Sequence, residues 1–93
     1  MITSFGSKEI EQIWNGIRVK KMPFDLKTTG PRKLRMLNNA QDIIDLRIPP
    51  SNRLEKLGGK LSDLYSIRIN NQWRIIFLWN NGSASEVEII DYH

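Results

Sequence analysis

Near residue 60 the hydrophobic period of this 93-residue chain changes from that of a helix to that of a strand, which restricts the fold more than any other feature. Before it, Ile10, Ile13, Trp14 and Ile17 recur at i, i+3, i+4 and i+7, placing all four on one helical face. Ser7 offers an N-cap oxygen, and Glu9 lies in the first turn, where the helix dipole favours an acid. Asn15-Gly16 predicts the end of that helix. Residues 18–29 are polar, basic and broken by Pro23, and read as a loop. Gly30-Pro31 predicts the start of a second helix, because proline loses no N–H partner in a first turn. Its core stripe is Leu34, Leu37, Ala40 and Ile44, widened by Met36 and Ile43, with Arg35, Asn38, Asn39, Asp42 and Asp45 opposite. Pro49-Pro50-Ser51-Asn52 closes the helical half, and Leu54, Leu57 and Gly58-Gly59 predict a loop or a short irregular strand.

The second half alternates. Tyr65, Ile67 and Ile69 share one face of a strand, with Ser66 and Arg68 on the other. Residues 73–79 are strongly β-favouring, Asn80-Asn81-Gly82 is a turn, and residues 84–92 form a last strand with Val87 and Ile89 alternating against Glu86 and Glu88. With a strand at residues 2–5, the order is strand, helix, helix, then at least three strands. That order predicts one α+β domain over residues 1–93, with two helices packed on one face of an antiparallel sheet.

Burial sets the register of the first hairpin. An odd-length loop, Asn70-Asn71-Gln72, puts Tyr65, Ile67 and Ile69 on the same face as Trp73, Ile75, Phe77 and Trp79, whereas a two-residue loop does not. The odd loop makes Arg68 and Arg74 cross-strand neighbours off the core face, where like charges cost stability unless something anionic compensates them.

Charge is distributed with the same asymmetry. Between Arg18 and Arg35 seven basic residues, including Lys20, Lys21 and Lys27, face one acid, and Arg47, Arg53, Lys56 and Lys60 form a second basic stretch. No Lys or Arg follows Arg74, and Glu86, Glu88 and Asp91 make the end acidic. Such a footprint suits a polyanion partner. The chain has no cysteine, which removes thiolate metal sites and thiol nucleophiles and makes a reducing, cytoplasmic setting the expectation. No apolar run is long enough to span a membrane, and residues 1–5 lack the pattern of a signal peptide.

The single histidine, His93, ends a strand as Asp91-Tyr92-His93. A phosphodiester cutter working without metal needs one group to take the 2′-OH proton, one to protonate the leaving oxygen and a cation for the phosphorane. His, Asp or Tyr fill the first two roles and Arg the third. Arg68, Arg74 and the terminal triplet supply that set. Neither a metal cage nor a calcium-loop spacing is present, nor a Gly-rich nucleotide loop or a serine elbow, so no cofactor and no metal are expected. Trp14, Trp73 and Trp79 occupy apolar-face positions and read as core rather than base-stacking platforms.

Two segments carry a family resemblance over nearly the whole chain. One is Ser51-Asn52-Arg53-Leu54-Glu55-Lys56-Leu57 with Tyr65-Ser66-Ile67-Arg68-Ile69-Asn70-Asn71-Gln72-Trp73-Arg74-Ile75, and the other is Glu88-Ile89-Ile90-Asp91-Tyr92-His93. Together they resemble the HigB toxins of the RelE-like superfamily of ribosome-dependent mRNA interferases. The resemblance implies a RelE-like fold and the toxin of a type II toxin–antitoxin pair. Such a toxin would enter the ribosomal A site, cut mRNA by attack of a 2′-OH on its own 3′ phosphate, and be neutralised by a HigA-like helix-turn-helix antitoxin. Operator DNA would be reached only through the antitoxin complex. Arg74 matches the arginine that holds the scissile phosphate, and Asp91, Tyr92 and His93 match the terminal catalytic group. Where some HigB proteins carry a catalytic lysine this chain has Gly58, which implies either replacement by Lys56 or Lys60 or a branch that cuts more slowly. Arg53, Lys56, Lys60, Lys20 and Lys21 are the candidate RNA contacts. Two other readings compete with this one: a RelE-fold RNA- or ribosome-binding protein that blocks translation without cutting, and a DNA-binding subunit. The second is weaker because no helix shows a recognition pattern.

Overall fold

The architecture divides where the period changes. In the structure, a computed structural model that describes residues 1–17, 19, 23–57 and 64–91, two helices precede a four-stranded sheet. Helix α1 is Lys8–Trp14 and α2 is Phe24–Asn39; the strands are β1 (Glu55–Lys56), β2 (Leu64–Arg68), β3 (Trp73–Asn80) and β4 (Ser83–Asp91). The sheet runs β1-β2-β3-β4 with every neighbour antiparallel. Ile10, Ile13, Leu26, Leu34 and Leu37 from the helices merge with Ile67, Ile75, Phe77 and Val87 from the strands in one buried cluster, so both helices cover the same face. This is the expected α+β arrangement.

Local details depart from the expectation in four places. Ser7 caps α1, its hydroxyl accepting from the Ile10 amide at 3.3 Å, and Asn15 ends it as anticipated. Ile17 therefore falls beyond the helix and is 53% exposed, not the fourth residue of a core stripe. Helix α2 starts at Phe24, well before Gly30-Pro31, so residues 24–29 are helical rather than loop. Leu26 is buried, and with Leu34 and Leu37 it forms a stripe that runs across Pro31. The proline ring deprives the Lys27 carbonyl of its helical N–H, but apolar burial on both sides outweighs that loss. Helix α2 ends at Asn39, and Ile43–Arg47 folds as a separate 3-10 helix. Its tighter turn leaves Ile44 exposed and puts Leu46 in the core instead.

The fourth departure is at the edge. Residues 2–5 form no ladder strand; Ile2 and Phe5 make two isolated parallel bridges to Ala84 and Val87. The cause is a bulge in β4. Ile76 pairs with Glu88 but Leu78 with Ser85, so Phe77 is met by both Glu86 and Val87, and Glu86 takes a left-handed φ of 51°. The Glu86 amide turns outward and donates to Ser4 Oγ at 2.9 Å. At the other end of the hairpin, Asn81 and Gly82 have φ of 51° and 78°, the two-positive pattern of a tight two-residue turn closed by Asn80 and Ser83. A Cβ on Gly82 would sit 3.1 Å from the Gln41 carbonyl, a further reason for glycine there.

Helix α2 is also tied to the segment after it by a buried polar pair. Lys33 is 4% exposed, and its Nζ donates to Oδ1 of the fully buried Asn52. Asn52 Nδ2 donates in turn to the Leu46 carbonyl at 3.1 Å. Burial, with Arg32 adding repulsion, holds the Lys33 pKa below its ordinary 10.5. Between the folded value and 10.5 the unfolded chain binds more protons, so this contribution to stability rises with pH. It is complete above 10.5 and lost as pH falls through the folded value. Urea unfolding across that window should show the wild type gaining stability relative to Lys33→Met as pH rises. Parallel pH profiles for the two proteins would reject the assignment.

Candidate active site

The site is built on the sheet face that the helices leave uncovered. The β2–β3 loop is Asn70-Asn71-Gln72: the Ile69 amide donates to the Trp73 carbonyl at 2.9 Å, and Asn70 Oδ1 accepts from the amides of Gln72 and Trp73, both at 2.9 Å. That side chain satisfies the amides a three-residue loop would leave open. The resulting register pairs Tyr65 with Phe77, Ile67 with Ile75 and Arg68 with Arg74, as burial required.

The two arginines are neighbours, yet they turn apart. Arg68 folds back along its own loop, Nε donating to the Asn70 carbonyl at 3.1 Å and a terminal nitrogen to Asn71 Oδ1. Arg74 reaches the other way. Its Nε donates to Ser66 Oγ at 3.0 Å, and one terminal nitrogen donates to the Arg53 carbonyl at 2.7 Å with a Glu55 carboxylate oxygen 3.8 Å away. Arg74 lies off the helix-covered face, as expected, but is only 5% exposed, so it is also part of the packing. Among the described residues an anion beside it is Glu55, whose half-exposed side chain makes a loose pair in which solvent screens much of the attraction. A guanidinium fixed through two of its nitrogens presents a pre-oriented positive plane, suited to a phosphate whose charge grows during reaction.

Other candidate residues distribute as the register dictates. Arg53 is exposed and left-handed at φ 45°, and its carbonyl, rather than its side chain, touches Arg74. Lys56 pairs with Tyr65 and its Nζ lies 5.9 Å from that ring's centre, on the helix side of the sheet, so β1 turns it away from Arg74. Asp91 stands opposite Trp73 while Ile90 stands opposite Arg74, so Asp91 also belongs to the face away from Arg74. Its carboxylate accepts from Gln72 Nε2 at 3.2 Å, which fixes the end of β4 against the hairpin loop. Lys20, Lys21, Lys60, Tyr92 and His93 lie outside the described residues.

Sequence reasoning missed Ser66, Glu55 and the Arg53 carbonyl as holders of Arg74. Ser66 was legible, since alternation alone places it on the arginine face, one row from Arg74. Trp14, Trp73 and Trp79 pack against the core cluster, as their positions implied.

Comparison with known proteins gives the site its family. Residues 3–93 match the model of the HigB-like toxins, described as RelE-like toxins of the type II toxin–antitoxin system HigB. Toxin HigB-1 of Vibrio cholerae is 42% identical over 85 residues, 90% of each chain. An uncharacterised protein of Haemophilus influenzae is 40% identical over 67 residues, which is 72% of this chain and 66% of the relative. Among solved structures, the YoeB–YefM complex from Staphylococcus aureus matches with a TM-score of 0.61 at 15% identity, over 100% of this chain and 98% of that one. The YoeB dimer from the same organism matches at 0.58 and 18% identity, over 99% and 94%. At such identities these two speak for the fold alone. With nearly its whole length matched by the family model and a close relative over nine-tenths of both chains, this chain belongs to the HigB-like family of RelE-like toxins from type II toxin–antitoxin systems.

Proposed function

We propose that the chain is a ribosome-dependent endoribonuclease that cuts mRNA and so arrests translation, working without a metal ion or cofactor. The observation that carries this reading is Arg74, a cation fixed by Ser66 and the Arg53 carbonyl on the sheet face opposite the helices, with Arg68 beside it. In the proposed reaction the 2′ oxygen attacks the adjacent phosphorus, its proton passing to a base on the protein. The bond from phosphorus to the 5′ oxygen breaks, and that oxygen receives a proton. Arg74, helped by Arg68, neutralises the phosphorane. His93 and Asp91 handle the protons and Tyr92 orients or stacks on the substrate. Because Asp91 lies on the Trp73 side, its share is to act from the strand's end. Arg53, Lys20, Lys21 and Lys60 hold RNA phosphates, and Lys56 is an outer contact on the helix side of the edge. A HigA-like antitoxin is the proposed partner, operator DNA is met only through that complex, and the compartment is the cytoplasm.

Removing one electrostatic stabiliser of a transition state costs about 10²–10³ in rate. Arg74→Ala should show that loss in single-turnover cleavage of ribosome-bound mRNA. It should also lower stability by about 1–3 kcal/mol, because it strands buried hydrogen-bond partners. Deleting His93 should slow cleavage by roughly 10²–10⁴, the usual worth of a general acid or base. Full-rate cutting by the protein lacking His93 would remove the terminal residue from the mechanism. Growth arrest without discrete new mRNA 5′ ends would favour the non-cleaving blocker.

Ribosome affinity should also fall with salt. A handful of phosphate contacts, each releasing counterions as it forms, predicts a drop of about 10²-fold between roughly 50 and 200 mM salt. Filter binding at several salt concentrations measures it, and an affinity that stays level speaks against a nucleic-acid face.

A further inference from the structure

Among the described residues four polar side chains are buried: Lys33 (4% exposed), Asn52 (0%), Ser66 (1%) and Arg74 (5%). They form one connected relay rather than four separate events. Lys33, in the middle of α2, donates to Asn52 Oδ1. Asn52 Nδ2 donates to the Leu46 carbonyl at 3.1 Å and approaches the Ile48 carbonyl at 3.5 Å, closing the short helical segments around it. Asn52 ends the 3-10 helix Pro50–Asn52, and the next residue, Arg53, is its left-handed cap at φ 45°, ψ 57°. That backbone conformation costs a side-chain-bearing residue of order 1–3 kcal/mol, and surrounding contacts must hold it. Its product is the carbonyl that accepts from Arg74 at 2.7 Å, while Ser66 accepts from the other side at 3.0 Å.

Two features separate this relay from ordinary core satisfaction. An asparagine with no exposed surface and a buried lysine are expensive ways to join two helical segments, since apolar side chains of similar volume would do so without desolvation cost. In addition, the strained residue lies where the Asn52 branch of the relay meets the guanidinium of the proposed phosphate site. We infer that Asn52, supported by Lys33, is a positioning residue for Arg74: it fixes the left-handed Arg53 carbonyl and thereby the plane of the Arg74 guanidinium. The inference rests on the proposed role of Arg74 in cleavage. It also has a consequence that does not depend on cleavage, namely that the Arg74 guanidinium loses its fixed orientation when Asn52 is cut back.

The test therefore has two arms on the full-length chain. In nitrogen-15 NMR of the free protein, the Arg74 Nε–Hε resonance, assigned by its loss in Arg74→Lys, should be sharp in the wild type. It should shift and broaden in Asn52→Ala. In single-turnover cleavage of mRNA on programmed ribosomes, Asn52→Ala should lose about 10²-fold in rate with ribosome affinity unchanged, the scale set by about 1 Å of misplacement. In an Arg74→Lys background, where the two-point hold is already gone, adding Asn52→Ala should change the rate by less than about twofold. If Asn52→Ala does not fold, Lys33→Met, which removes only the donor to Asn52, carries both arms. An unchanged Arg74 resonance in the folded variant overturns the inference, as do rate losses that multiply with Arg74→Lys. If the wild type itself does not cut while the resonance moves as expected, the nuclease reading fails and the positioning stands.

Discussion

Pairing β2 and β3 through a three-residue loop is the constraint on which most of this molecule depends. It stacks Tyr65 beside Phe77 and Ile67 beside Ile75 on the face the helices cover, and Phe77, Ile67 and Ile75 have no exposed surface. Burying Phe77 alone is worth roughly 3–5 kcal/mol by the usual cost of truncating such a side chain, so slipping the ladder by one residue is not an available alternative. The same register forces two like-charged side chains together on the other face, Arg68 beside Arg74. The structure accommodates them by turning one onto the loop and the other onto the backbone of Arg53 and the hydroxyl of Ser66. The core thus determines where the charge goes, and the charge makes the uncovered face chemically useful.

Much of this was readable in the residues, and the failures have physical reasons. The odd loop and the arginine pair follow from alternation alone, because burial leaves one register. The cap at Ser7 and the turn at Asn81-Gly82 are local chemistry that neighbours do not override. Pro31 misled because proline is usually read as a boundary; the apolar run through Leu26, Leu34 and Leu37 was the stronger signal. Ile44 misled because an α period was carried past Asn39 into a 3-10 turn, where three residues per turn shift the buried position to Leu46.

For the site, legibility stopped at side chains. Arg74 and its row were visible, but what holds it was not. A backbone carbonyl carries no sequence signal, and Arg53 exposes its carbonyl to Arg74 only because its backbone is left-handed. Asn52 looked like one more polar residue after two prolines, whereas its burial depends on α2 returning close to residues 46–52, a long-range fact. The face of Lys56 likewise required the ladder of β1, which a single-strand pattern does not supply, whereas Asp91, two residues beyond Ile89, follows from alternation alone.

The bulge in β4 reaches further than the local pairing it disturbs. A strand is a two-phase device, and inserting one unpaired residue inverts the phase of everything downstream. Continued from the turn without interruption, the ladder would bring Ile89 opposite Arg74 and leave Ile90 beside Trp73 on the helix side. With Glu86 looped out, Ile89 faces Ile75 in the core and Ile90 lies next to Arg74. The apolar sequence Ala84, Val87, Ile89 already contains this phase jump, since the first interval is three and the second is two. The single left-handed glutamate therefore decides which side chains at the acidic end of β4 share a face with the paired arginines, and it does so from a position far removed from them along the strand.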